Sequence, residues 1–182
     1  MAKLFFIRHG QTEANVAGIL TGTLETNLTN KGIEDAKKLS LSLTDKFDFY
    51  YCSPLKRTHQ TLIAIKGNVE FIVDERLTEV FSGYWQGKFK YELPKDEYEL
   101  YKKGLLNPPG GEELQDVDKR INSFLNDMFS KYKKDDKILI VTHNAFIRNL
   151  KRLFIDSDKV VEPKNLEVFI VNDDMYNQII KK

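Results

Sequence analysis

The chain has 182 residues, 41% hydrophobic and 30% charged, a length and balance that suit about one globular domain and exclude a disordered tail. Its 28 Lys and Arg against 27 Asp and Glu leave a formal charge of +1, which argues against a duplex-binding protein, whose affinity comes from a surplus of cations. The one cysteine, Cys52, cannot form an internal disulfide. No apolar run suits a signal-peptide core or a bilayer span, so a cytoplasmic protein is expected.

Residues 3–7 (KLFFI) form a near-continuous apolar run, the pattern of a strand covered on both faces. Thr29 is placed to cap a helix with Ile33, Ala36, Leu39 and Leu43 on one face. Residues 47–52 (FDFYYC) are the second strand. Ser53-Pro54, a capping residue followed by a proline at the first helical position, predicts a helix to about Ile65. Residues 69–73 (VEFIV) are a further strand. Leu114, Val117, Ile121, Phe124, Leu125 and Met128 make the clearest helical stripe. After the strand at 137–141 (KILIV), Asn144 is placed to cap a last helix carrying Phe146, Ile147, Leu150, Leu153 and Phe154. Residues 166–171 and 176–180, separated by Asn172-Asp173-Asp174, predict a closing hairpin. Lys181-Lys182 reads as a solubilising tail. Strands alternating with helices imply right-handed crossovers: an α/β fold, a three-layer α/β/α sandwich around a mostly parallel sheet.

Residues 84–112 break the alternation. They carry Lys88, Lys90, Lys95, Lys102 and Lys103, five tyrosines or tryptophans, and the turn Asn107-Pro108-Pro109-Gly110-Gly111. An excursion of this length is expected to be a lid or substrate segment, with a short helix near 95–103.

Ligands of open parallel sheets bind at the carboxyl ends of the strands, where helix N-termini also point. Arg8-His9-Gly10 follows the first strand, Ser53-Pro54 the second with Arg57 one turn on, and Thr142-His143-Asn144 the strand at 137–141. Two of three histidines and two arginines should therefore converge, with no carboxylate directly after any of these strands. That suits a highly charged oxyanion, with phosphate the obvious candidate. Asn15 could add a neutral donor. A neutral imidazole is a competent nucleophile at phosphorus, and the departing alkoxide needs a proton, for which Glu79 is the candidate and Glu75 and Glu13 the competitors.

Arg8-His9-Gly10-Gln11-Thr12-Glu13-Ala14-Asn15 resembles the signature of the histidine phosphatase (phosphoglycerate-mutase-like) superfamily. Four further segments resemble it in order: Thr29-Asn30-Lys31-Gly32; Cys52-Ser53-Pro54-Leu55-Lys56-Arg57-Thr58; Leu77-Thr78-Glu79 with Gly83-Tyr84-Trp85-Gln86-Gly87; and Val141-Thr142-His143. The resemblance spans residues 1–182 as a single domain. It implies a phosphohistidine enzyme without metal or cofactor. His9 would be the nucleophile, and Glu79 the proton donor and later the base for water. Arg8, Arg57 and His143 would hold the phosphoryl oxygens with help from Asn15. Asn144-Ala145, where the family often has two glycines, and Gln86, where glutamate is common, depart from the pattern and bear on the pocket floor and the lid base. Cys52 stands where serine is frequent.

The short chain, the lack of arginine in 84–112 and Pro109-Gly110-Gly111-Glu112 resemble the phosphatase branch, including the α-ribazole phosphatases. The expected activity is a phosphomonoesterase acting on a small phosphorylated metabolite, with no nucleic-acid or membrane partner. A phosphoglycerate-type mutase and a non-catalytic phospholigand-binding module are the alternatives. His59 reads as structural or exposed. Substrate identity and oligomeric state are not legible.

Overall fold

The protein is described by a computed structural model over residues 2–156 and 159–180; Lys181 and Lys182 lie outside the described residues. The first strand, β1 (Lys3–Arg8), leads through a short helix α1 (Glu13–Ala17) to α2 (Asn30–Ser42). β2 (Phe49–Cys52), α3 (Lys56–Lys66) and β3 (Ile72–Val73) follow. Then come α4 (Lys95–Lys102), α5 (Leu114–Lys131), β4 (Lys137–Thr142), α6 (Asn144–Phe154), β5 (Val168–Asn172) and α7 (Asp173–Ile180). The strands form one five-stranded sheet in the order β3-β2-β4-β1-β5, parallel except where β5 joins β1.

The two-residue period of the central strands divides the core. Leu4, Phe6, Ile138 and Ile140 point to the face where Phe124, Leu125, Phe146 and Leu150 of α5 and α6 are buried. Phe5, Ile7, Leu139 and Val141 point to the other face, against Ala36, Leu62 and Ile65 of α2 and α3. This is the expected three-layer α/β/α arrangement. No described helix is long and apolar enough to cross a membrane.

Several boundaries differ from expectation. Residues 176–180 are not the second arm of a hairpin: they belong to α7. The Asn172 side chain accepts the Met175 amide at 3.0 Å and Asp173 and Asp174 occupy the first turn, so the three polar residues start a helix instead of making a turn. Tyr176 then stacks on Phe129 of α5 with centroids 4.5 Å apart. Of residues 69–73 only Ile72 and Val73 pair, at an exposed sheet edge. Ser53-Pro54 does not open α3. The Ser53 amide is spent on Val141 O of β4, which keeps Ser53 at the strand end and moves the cap to Leu55. Asn144 is the first residue of α6 and not its cap, the cap position being His143, and α7 follows as the last helix. The helix α1, five residues long, was too short to show a period. Thr12 caps it by accepting the Asn15 amide while Asn15 Oδ1 accepts the Thr12 amide.

Residues 84–112 hold two single 3₁₀ turns and α4, packed around Trp85, Leu93 and Tyr101 with Leu20 against them. The segment is anchored at both ends. Gly83, at φ +51°, lies where a Cβ would come within 2.2 Å of Pro109 O, so only glycine lets its backbone meet the 108–111 turn.

Candidate active site

The register of the two central strands places the chemistry. β1 and β4 pair from Lys3 opposite Lys137 to Arg8 opposite Thr142, so the next residues, His9 and His143, leave the sheet side by side. Their rings lie 5.3 Å apart, centroid to centroid. His9 Nδ1 is 2.8 Å from Gly10 O. A carbonyl can only accept, so this nitrogen carries the proton and Nε2 keeps its lone pair. Burial, then the charges of Arg57 and Arg8, hold the imidazolium form well below the ordinary histidine range, with the Gly10 bond opposing. The resting ring is neutral, with a free Nε2.

The loop that carries His9 is clamped from the helix layer. The Gly10 amide donates to Thr61 Oγ1 of α3 at 3.0 Å, and Gly32 in the first turn of α2 lies where a Cβ would be 2.2 Å from Gln11 O. The glycine of the Thr29-Asn30-Lys31-Gly32 segment is thus a site of close backbone approach.

Arg8, His9, Asn15, Glu79, Asn144 and Glu162 line a single cleft, together with Lys90, Tyr98 and Tyr101 from the 84–112 segment. Arg8 Nη1 donates to Pro163 O at 2.7 Å, while its Nε is buried with no acceptor. Burial lowers the affinity of this guanidinium for its proton, opposed by the nearby Glu79 carboxylate. Asn15 Oδ1 accepts from Thr12 N and from Asn165 Nδ2 at 3.2 Å each, which leaves its own Nδ2 donors unused. Glu79 Oε2 accepts the Ala145 amide at 3.2 Å, and Oε1 accepts the amides of Phe146 and Val80. The carboxylate is therefore fixed on the N-terminus of α6. Glu75 and Glu13 are exposed and are not among the residues lining the cleft.

Arg57 and His143 sit behind His9. Arg57 Nε donates to His143 Nδ1 at 3.2 Å, and Nη1 and Nη2 donate to Leu24 O and Gly22 O at 2.8 Å each. Two of its five N–H groups remain for a ligand. His143 Nδ1 is thus an acceptor, and its protonated Nε2 meets Ser53 Oγ at 2.7 Å. Burial and the Arg57 charge keep His143 neutral far below the ordinary range. His59 stands apart, with Nε2 2.8 Å from Ser53 O and its ring on Phe71. Gln86 Oε1 accepts from the amide and hydroxyl of Thr23, so the neutral residue at the base of the segment pins the loop after α1. Cys52 is buried, its thiol pushed up to about 12 by desolvation. Among the described residues, no three His, Cys, Asp or Glu are grouped to hold a metal ion.

The description of the histidine phosphatase superfamily (branch 1) matches residues 4–168. The chain belongs to this superfamily. The adenosylcobalamin/alpha-ribazole phosphatase of Salmonella typhimurium is 33% identical over 155 residues, 80% of this chain and 75% of that protein. The 2,3-bisphosphoglycerate-dependent phosphoglycerate mutase of Rhizobium etli is 30% identical over 166 residues, 84% of this chain and 79% of that protein. The crystal structure of phosphoserine phosphatase from Entamoeba histolytica, in complex with 3-phosphoglyceric acid, superposes with a TM-score of 0.80. It is 27% identical, and the match covers 93% of this chain and 90% of that one.

The residues of the site that sequence reasoning missed are Glu162, Asn165 and, singly, Lys90. Glu162 and Asn165 lie in the irregular stretch before β5, where no period or cap marks them. Of the five lysines in 84–112, only Lys90 lines the cleft.

Proposed function

We propose that this histidine phosphatase hydrolyses phosphomonoesters of a small metabolite through a phosphohistidine on His9. The single observation that carries the reading is the state of that ring: buried, neutral, proton fixed on Nδ1 by Gly10 O, and Nε2 unprotonated in a cleft shared with Arg8, whose Nε has no acceptor among the described residues.

In the first step Nε2 attacks phosphorus in line, the P–N bond forms, and the ester P–O bond breaks. Glu79, which enters this step protonated, gives that proton to the departing alkoxide. In the second, Glu79 takes a proton from water, the water oxygen bonds to phosphorus, the P–N bond breaks and inorganic phosphate leaves. Arg8, the free amide of Asn15 and the two spare donors of Arg57 are assigned to the phosphoryl oxygens, where positioned charge counts most as they spread in the transition state. His143, expected from the sequence to join them, has its one N–H on Ser53 Oγ and is assigned to orienting Arg57 through the Arg57 Nε–H. Neither step calls on a metal or a cofactor.

Hydrolysis is favoured over phosphoryl return to a second carbon because residues 84–112 contain no arginine, and Lys90 is the one cation that they bring to the cleft. The deciding experiment follows phosphate release from p-nitrophenyl phosphate in excess chelator and traps the enzyme by acid quench. The expected result is turnover with an acid-labile, alkali-stable phosphoenzyme. Turnover without one would overturn the nucleophile. Tight phosphate binding with no turnover on a broad panel of phosphorylated metabolites would favour a phospholigand-binding module.

A further inference from the structure

With Arg8, His9, Asn15 and Glu79 assigned at phosphorus, the cleft wall retains two opposite charges that serve no step. Lys90 is half-buried, and among the described residues its ammonium makes no ion pair or hydrogen bond. Glu162 is half-buried as well. Its Oε1 accepts from Asn144 Nδ2 at 3.1 Å and pairs with Arg148 Nη1 at 3.9 Å, while its Oε2 has no partner among the described residues. Burial weakens the hold of Lys90 on its proton and the Glu162 charge opposes this, yet the two form no ion pair. Arg148 and Asn144 answer one oxygen of Glu162; its other oxygen and the Lys90 ammonium, half-buried in one cleft and not paired with each other, are left for a ligand to complete.

We infer that the substrate is a zwitterionic phosphomonoester, an O-phospho-amino acid, whose carboxylate meets Lys90 and whose ammonium meets Glu162 Oε2. The inference rests on the phosphatase reading above and narrows it. A sugar phosphate supplies neither partner, a phosphorylated hydroxy acid supplies only the anion, and a phosphorylated amino alcohol only the cation. Asn144 acts here as a positioning residue. Its amide holds the Glu162 carboxylate toward the cleft, a contact that a glycine at this place could not make. Relatives with different substrates can share the phosphoryl grip, because this discrimination rests on other residues of the cleft.

The experiment compares kcat/KM for O-phosphoserine, 3-phosphoglycerate, O-phosphoethanolamine and p-nitrophenyl phosphate. 3-Phosphoglycerate replaces the ammonium of phosphoserine by a hydroxyl, and O-phosphoethanolamine lacks its carboxylate. Phosphoserine is expected to lead each of these two by about tenfold or more, since a missing ligand group leaves a half-buried charge of the cleft without its complement. Glu162→Gln should erase the lead over 3-phosphoglycerate, and Lys90→Met the lead over O-phosphoethanolamine. Each ratio is taken within one variant, so a general loss of activity cancels. Asn144→Gly should shrink the first ratio and spare the second. Hydrolysis of p-nitrophenyl phosphate with no lead for phosphoserine would overturn this inference and leave the phosphatase reading intact. Hydrolysis of none of the four would overturn both. Ratios unchanged in the variants would overturn the assignment of Lys90 and Glu162.

Discussion

The imidazoles of His9 and His143 meet at 5.3 Å between centroids with their planes inclined by 62°, and burial with the charge of Arg57 holds both rings neutral. His9 spends its one N–H on Gly10 O, and His143 accepts from Arg57 and donates to Ser53 Oγ. Two buried neutral histidines beside the buried Arg57 and the half-buried Arg8 make a site that repels protons and attracts oxyanions.

The first consequence is an acid-side loss of stability. Both histidines have native pKa values well below 6.5, so below that value the unfolded chain takes up protons that the native chain refuses. Stability contributed this way is intact above about pH 6.5 and falls as the pH drops toward the native values, by up to about 1.4 kcal/mol per pH unit for each histidine. Urea unfolding at pH 7 and pH 5 should show the fall, and His9→Asn should reduce it. Equal pH dependence in the variant would contradict a neutral buried His9.

The same electrostatics set the activity profile. With His9 as nucleophile, the acid limb of kcat/KM should lie well below pH 6.5. Arg57 is the first charge, after burial, that pushes His9 down. Arg57→Met should therefore move the limb upward as well as lower the rate, a shift that lost phosphate contacts alone would not produce. An unmoved limb would remove Arg57 from the tuning of His9.

His9→Ala should abolish the phosphoenzyme and lower kcat by about a thousandfold or more, as expected when a covalent route is lost, with inorganic phosphate still binding. Rapid-quench labelling and equilibrium binding test both halves. Full turnover in this variant would end the phosphohistidine mechanism.

Glu79, held by the amides of Ala145, Phe146 and Val80, is poised to serve leaving groups that need a proton. Glu79→Gln should slow alkyl phosphates by about a hundredfold more than p-nitrophenyl phosphate, whose phenolate leaves unaided. Equal losses on the two substrates would mean that Glu79 does not protonate the leaving oxygen.

Gly32→Ala probes the clamp on the His9 loop. The added methyl would meet Gln11 O at 2.2 Å, so the first turn of α2 or the loop must move. A stability loss of about 1–3 kcal/mol is expected, with a fall in kcat because Gln11 lies two residues from His9. A thermal melt and steady-state kinetics measure the two effects. A variant with wild-type stability and rate would show that the contact relaxes freely.

Short-range physics made much of this protein legible as sequence. Apolar periods marked β1, β4, α2 and α5, Thr29 marked a cap, and the rule that ligands gather at strand carboxyl ends grouped Arg8, His9, Arg57 and His143, while Asn15 and Glu79 were candidates from their neighbours and from the family resemblance. Other features had no local signature. Tyr176 could pack on a strand or a helix until Asn172 settled the start of α7. The depth of Arg57 and His143 behind His9, the capture of Asn15 by Asn165, and the placing of Lys90 and Glu162 on one wall all depend on segments distant along the chain. Periodicity and capping are properties of neighbouring residues, so the linear chain carries them. Which charges face one another, and which stay unpaired, follows from strand register and helix packing, and those exist only once the chain has folded.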